Sequence, residues 1–285
     1  MADSTTHQAI ADDGTVIVGR VVGQGPPLVV VPASLAGDLE WGPLLPYLSE
    51  RFTCYVMDRS SRARNTDSWG FSHWRAVADV VAFIDSVGEP VGLLGASWSG
   101  MLSLGAVRRT SAVRALGVWE PSVGEVNSEE ARAHMAQTMD EARRLVDDGH
   151  LHEAVRSWHL ESGVASEEEF AAMPDEVYEA VAAVFPAQLD EYRQAVAAVE
   201  AGESTPTDPS ELAAISVPVL LLHGSESMRW FVDGVRHVAE HVPDATVRAI
   251  DGVGHGGFFH APAAVAQQFA EFLDDALEPA REELG

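Results

Sequence analysis

The segment LLGASWSGM, residues 93–101, decides how this chain reads. The apolar run VGLLG at 91–95 has the composition of a buried strand, Gly95 and Ala96 are small enough for a sharp turn, and the residues after Ser99 read as helix. A serine at the apex of a strand, turn and helix has its hydroxyl lifted out of a sheet, the form of a nucleophile elbow. The usual pattern is Gly-x-Ser-x-Gly. Here it is Gly-x-Ser-x-Ser-Gly, with Ser99 at the second glycine, adding a Cβ and a hydroxyl while staying small. Ser97 is the candidate nucleophile.

Working outward, apolar runs rich in β-branched residues recur at 16–22 (VIVGRVV), 28–31 (LVVV), 52–57 (FTCYVM) and 113–119 (VRALGVW), and resume at 217–224 (VPVLLLHG) and 245–250 (ATVRAI). Helical spacing lies between them, notably over 73–87. Continuous apolar strands alternating with helices predict a mostly parallel sheet covered by helices on both faces. After Glu120 the pattern changes. Residues 127–202 read as helix alone, with acidic first turns, and the linker GESTPTDPS at 202–210 closes the block. The last stretch, 261–277, places Val265, Phe269, Phe272 and Leu273 on one helical face. The expected organisation is an α/β core over 1–120 and 209–285, interrupted after the sixth strand by a helical cap over 121–208. Such a cap would stand above the carboxyl ends of the strands, where open α/β sheets bind ligands.

Composition excludes several classes. With 44 acidic against 18 basic residues the formal charge is −26, a field that repels phosphate backbones and anionic membrane surfaces, so neither nucleic acid nor membrane is an expected partner. Every basic residue is Arg, which removes Schiff-base chemistry through a lysine. The lone Cys54 sits in an apolar run and reads as a buried thiol. The polar start has no signal core, and no window is long enough to cross a bilayer, so the expected location is cytoplasmic. His150, His152 and His159 lack the Cys or carboxylate spacing of a zinc site. No metal or cofactor is expected. The many Glu residues of the helical block read as a solvated face, and its aromatics as helix core or site lining. The expected partner is a small-molecule substrate; homo-oligomerisation is left open.

The elbow, the turn VVVPASLAG after the third strand, the turn MDRSSRARN after the fourth and the loop DGVGHGGFFHAP near the end together resemble the α/β-hydrolase superfamily, over about residues 15–276. The resemblance implies the α/β-hydrolase fold and, by the match of the last loop, His255 as the general base for Ser97. The superfamily's usual acid position, three residues after the glycine closing VPVLLLHG, is Ser227 here, which cannot hold an imidazolium charge. Two carboxylates could substitute: Glu120, directly after VRALGVW, and Glu226. The haloalkane dehalogenases and zearalenone lactonases are similar in taking an acid from the end of that earlier strand, which favours Glu120. The oxyanion hole implied by the resemblance uses the backbone N–H groups of Trp98 and Ser34. Its common His-Gly pair is Pro32 and Ala33 here, and Ser61 and Ala63 replace glycines of the fourth-strand turn. A tryptophan beside the nucleophile also resembles dehalogenases, but those enzymes and epoxide hydrolases need an aspartate nucleophile, so Ser97 argues against both.

The expected activity is therefore hydrolysis of a carboxylic ester or lactone of a small, largely apolar molecule through an acyl-enzyme. Two alternatives stand beside it: a non-hydrolytic or carbon–carbon-cleaving enzyme on the same framework, and a non-catalytic ligand-binding member of the fold.

Overall fold

Period-two apolar patterning becomes an eight-stranded sheet in the order β1-β2-β4-β3-β5-β6-β7-β8. The strands of this computed structural model, which describes residues 5–61 and 70–277, are β1 (Thr5–Ile10), β2 (Val16–Gly23), β3 (Pro27–Val31), β4 (Thr53–Asp58), β5 (Val91–Ala96), β6 (Val113–Trp119), β7 (Val219–Gly224) and β8 (Ala245–Ile250). β2 runs antiparallel to both β1 and β4, and all pairings from β4 to β8 are parallel. The polar β1 was not legible as a strand: only Ala9 within it is buried, and it exists by pairing along β2. Ala63, in the turn after β4, lies outside the described residues.

Alternate residues of each strand feed two cores. Val29, Val31, Leu93, Leu116, Val118 and Leu221 face one side, against Val77, Val80, Phe83 and Ile84 of one helix and Val235 and Val238 of another. Leu28, Val30, Leu94, Ala115, Leu220 and Leu222 face the other, against Leu45, Leu48, Val265, Phe269 and Leu273. The helices are α1 (Leu45–Leu48), α2 (His73–Asp85), α3 (Ser97–Ala106), α4 (Glu129–Asp147), α5 (Leu151–Glu161), α6 (Glu167–Ala171), α7 (Asp175–Glu200), α8 (Pro209–Leu212), α9 (Arg229–His241), α10 (Gly257–His260) and α11 (Pro262–Leu277). Thus α2, α3 and α9 cover one face, and α1 and α11 the other.

Helices α4 to α7 form the insert between β6 and β7. They carry their own apolar cluster of Met139, Leu145, Val155, Trp158, Phe185 and Leu189 with small residues between, and each such large side chain contributes about 1.5–3 kcal/mol when fully buried. Ser128 caps α4 by accepting from the Ala131 N–H, and Ser166 with Glu169 forms a capping box on α6. Among the described residues no helix is long and apolar enough to cross a membrane.

Candidate functional site

β5 ends at Ala96 and α3 begins at Ser97, whose φ of 51° lies in the left-handed region. A serine there is strained, and strain of this kind persists only where surrounding contacts enforce it. Those contacts are present. A Cβ on Gly95 would lie 2.5 Å from Ser103 Oγ and 2.7 Å from the Ser99 carbonyl oxygen, so only glycine lets the helix turn back this closely. The departure at Ser99 is also explained. Its buried hydroxyl lies 2.6 Å from the Val31 carbonyl oxygen and accepts the Ala96 N–H at 3.0 Å, tying the elbow to β3. The Ser97 hydroxyl makes no hydrogen bond among the described residues and is half-buried.

β6 ends in the second strained residue. Glu120, at φ 39°, is the one other non-glycine with positive φ among the described residues, and it is fully buried. One carboxylate oxygen, Oε2, lies 2.5 Å from His255 Nδ1; the other, Oε1, accepts the Gly224 N–H at 2.7 Å and the Ser227 hydroxyl at 2.5 Å. Ser227, at the position where the resemblance expected an acid, thus donates to the carboxylate at the end of β6. Gly224 is needed because a Cβ there would meet the Val253 carbonyl oxygen at 2.1 Å. Phe231 stacks on the imidazole at 3.8 Å between centroids, and Trp119 Nε1 donates to the His255 carbonyl at 2.9 Å. With Glu120 on Nδ1, the imidazole has Nε2 left for proton transfer. Glu226 is exposed, and its carboxylate makes no bond to His255.

The loop after β3 is held by side chains rather than left open. The N–H groups of Ala33 and Ser34 donate to Glu40 Oε1 and Oε2 at 2.8 and 2.7 Å, and the Leu35 N–H donates to Gln188 Oε1 at 2.7 Å. Arg59 donates to the Ala33 carbonyl and to Glu191. Trp98 Nε1 donates to the same Glu191 oxygen at 2.5 Å. The Ser34 N–H, expected from the resemblance to face a reacting oxygen, is therefore taken by a carboxylate six residues further along its own loop. Burial pushes Glu40 above the usual carboxylate range, against the pull of the two N–H groups and Arg59. Trp98 meets Tyr192 edge-on at 5.0 Å, and Tyr192 stacks on Trp158 at 5.3 Å, an aromatic wall beside the elbow.

The sequence of the alpha/beta hydrolase family matches residues 28–268. This chain belongs to the alpha/beta hydrolase family. Its fold is shared with an alpha/beta hydrolase from Sphaerobacter thermophilus DSM 20745 at 26% identity, TM-score 0.69, covering 94% of this chain and all of that one. It is shared also with the esterase RhEst1 from Rhodococcus sp. ECU1013 (21%, TM-score 0.71, 95% and 99% covered) and with naproxen esterase from Bacillus subtilis (15%, TM-score 0.71, 95% and 92%). No curated protein matches the sequence significantly.

Within this alpha/beta hydrolase, the structure brings Glu120 to His255 and sets Ser97 at the elbow, while Glu226 stands apart. It also adds residues that sequence reasoning missed. Glu191, read with the other Glu residues as a solvated helix face, and Gln188, which the sequence did not single out, are buried on α7 one turn apart. The available signal was their i, i+3 spacing beside buried Leu189 and Ala195, which places them on the inward face. Arg59 is buried with Glu191. His159 is half-buried with Nδ1 on the Val155 carbonyl at 2.7 Å; burial holds it below the usual histidine range, and nearby His255 adds in the same direction. His150 and His152 are exposed, and among the described residues no three His, Cys, Asp or Glu side chains group as a metal site would need.

Proposed function

We propose that this hydrolase cleaves a carboxylic ester or lactone of a small, largely apolar molecule, without a cofactor, through an acyl-enzyme on Ser97. The observation that carries the reading is the buried hydrogen bond from His255 Nδ1 to Glu120 Oε2, which fixes the tautomer a general base requires. In this mechanism Ser97 Oγ attacks the carbonyl carbon while its proton passes to His255 Nε2. The tetrahedral oxygen takes the Trp98 N–H, the leaving alcohol departs with the proton from His255, and water then hydrolyses the acyl-enzyme by the same steps. The wall of Trp98, Tyr192 and Trp158 suits an apolar acyl or alcohol group. The insert acts as a cap that brings Tyr192, with Trp158 stacked on it, against Trp98, the residue after the serine, and the acidic surface favours an uncharged substrate.

The test is Ser97→Ala assayed on short p-nitrophenyl esters, alongside labelling by a fluorophosphonate. Loss of turnover by about 10⁴-fold or more, with loss of labelling, is expected; turnover undiminished in the variant excludes the reading. A second reading draws on one observation, the engagement of the Ser34 N–H by Glu40. It favours a non-hydrolytic step that develops no oxyanion, or ligand binding without catalysis; hydrolytic carbon–carbon cleavage, which adds a nucleophile to a ketone, needs the same oxyanion donors. Fluorophosphonate labelling that needs Ser97 excludes the binding-only form.

A further inference from the structure

The two oxygens of Glu40 sit on two consecutive backbone N–H groups, Ala33 at 2.8 Å and Ser34 at 2.7 Å. A pair of successive amides that accepts a carboxylate in this way is an anion site. Resting on the acyl-enzyme reading above, we propose that Glu40 is an internal occupant of the oxyanion site, and that it must release the Ser34 N–H before the site can hold a reacting carbonyl oxygen.

Three observations separate this from a scaffolding role. The loop is already fixed on either side of the contact: the Leu35 N–H is bound by Gln188, and the Ala33 carbonyl by Arg59. Glu40 is therefore not needed to define its course. Glu40 is half-buried as a residue while its carboxylate is enclosed at the two amides, so release means moving the carboxylate toward the exposed part of its own side chain. And a carboxylate on the Ser34 amide opposes negative charge developing on a substrate oxygen, which is the opposite of what an oxyanion site supplies. The charged and titratable groups around Glu40 are Arg59 from the end of β4 and Tyr192 from α7, with Glu191 of α7 pairing Arg59. Arg59 is thereby divided between Glu191 and the loop, leaving Glu40 held by its two amides and the Ser34 hydroxyl. Burial raises the Glu40 carboxyl, which eases its conversion to the neutral acid, a weaker acceptor for the same amides.

The experiment uses the whole protein with Glu40→Ala and Glu40→Gln. Turnover of p-nitrophenyl acetate is the first readout. The second is the backbone amide shifts of Ala33 and Ser34 during titration with acetate, which do not depend on Ser97 chemistry. Emptying the site should raise kcat by about tenfold, below the 10²–10³-fold that one oxyanion donor is worth, with KM little changed. Glu40→Gln should fall between the variant and the native protein. Acetate should shift both amides in Glu40→Ala and neither in the native protein. The proposal is overturned if kcat in Glu40→Ala is unchanged or falls while Glu40→Gln restores it, or if the emptied amides ignore acetate. If neither native protein nor variant turns over any ester, the acyl-enzyme reading fails, and the acetate titration still decides whether Glu40 occupies an anion site.

Discussion

His255 Nδ1 lies 2.5 Å from Glu120 Oε2, across 135 residues of chain, with both side chains almost wholly shielded from solvent. Glu120 follows β6, two strands from β3 and next to the central β5 that Ser97 follows. The Glu120 carboxylate thus meets the loop that carries His255, and the Ser227 hydroxyl donates to its other oxygen.

Glu120→Gln should lower kcat on p-nitrophenyl esters by about 10²- to 10⁴-fold, because the imidazole loses both its orienting acceptor and the charge that stabilises its protonated form. Glu226→Ala, at an exposed side chain, should leave kcat within twofold. Steady-state kinetics on the two variants check this. The reverse ranking would move the acid to β7.

Glu191→Ala strands a buried Arg59 and removes the partner of the Trp98 indole. Leaving one member of a buried ion pair alone costs about 3–5 kcal/mol, so urea denaturation should show a loss of this size. Glu191→Gln keeps an acceptor and should lose less. A loss under about 1 kcal/mol in the alanine variant would mean that Arg59 finds water instead.

The Glu40 carboxyl is raised by burial, so the folded protein holds this proton more tightly than the unfolded chain. Its stabilising contribution is present in full below the unfolded value of about 4.3 and is lost as pH rises through the higher folded value. Glu40→Gln has no such titration. Its Tm relative to the native protein should therefore climb as pH is raised through that window, measured by calorimetry in matched buffers. A constant or falling difference would contradict the assignment.

Burial pushes the Cys54 thiol up to about 12, with the side chain enclosed in the core on the α11 face. A thiol-reactive disulfide reagent at pH 8 should leave the native protein unmodified and react promptly in denaturant, where the thiol returns to its ordinary range. Rapid native labelling would show that β4 opens.

Where local pattern suffices, sequence and structure coincide. β6 was expected at 113–119 and is Val113–Trp119, and α2, expected from residue 73, starts at His73. The elbow was legible because strand, small residues and helix are all contiguous. β1 was not, since its polar sequence becomes a strand only beside β2. Glu40, Arg59, Gln188 and Glu191 were not legible as a group either. Glu40 meets its amides across a local turn that no residue pattern announces, and Arg59 meets Glu191 across 132 positions.

The sequence by itself determined the alternation of strands and helices, the insert after β6 and the serine at the turn after β5, because hydrophobic period and turn chemistry are properties of neighbouring residues. Only the tertiary structure set Glu120, and not Glu226, beside His255, and placed Glu40 on the Ser34 amide. Those outcomes depend on which strand ends the sheet order sets side by side and on where a folded loop aims its N–H groups. Burial then fixes the result, since a carboxylate removed from water must find its donors within a few ångströms.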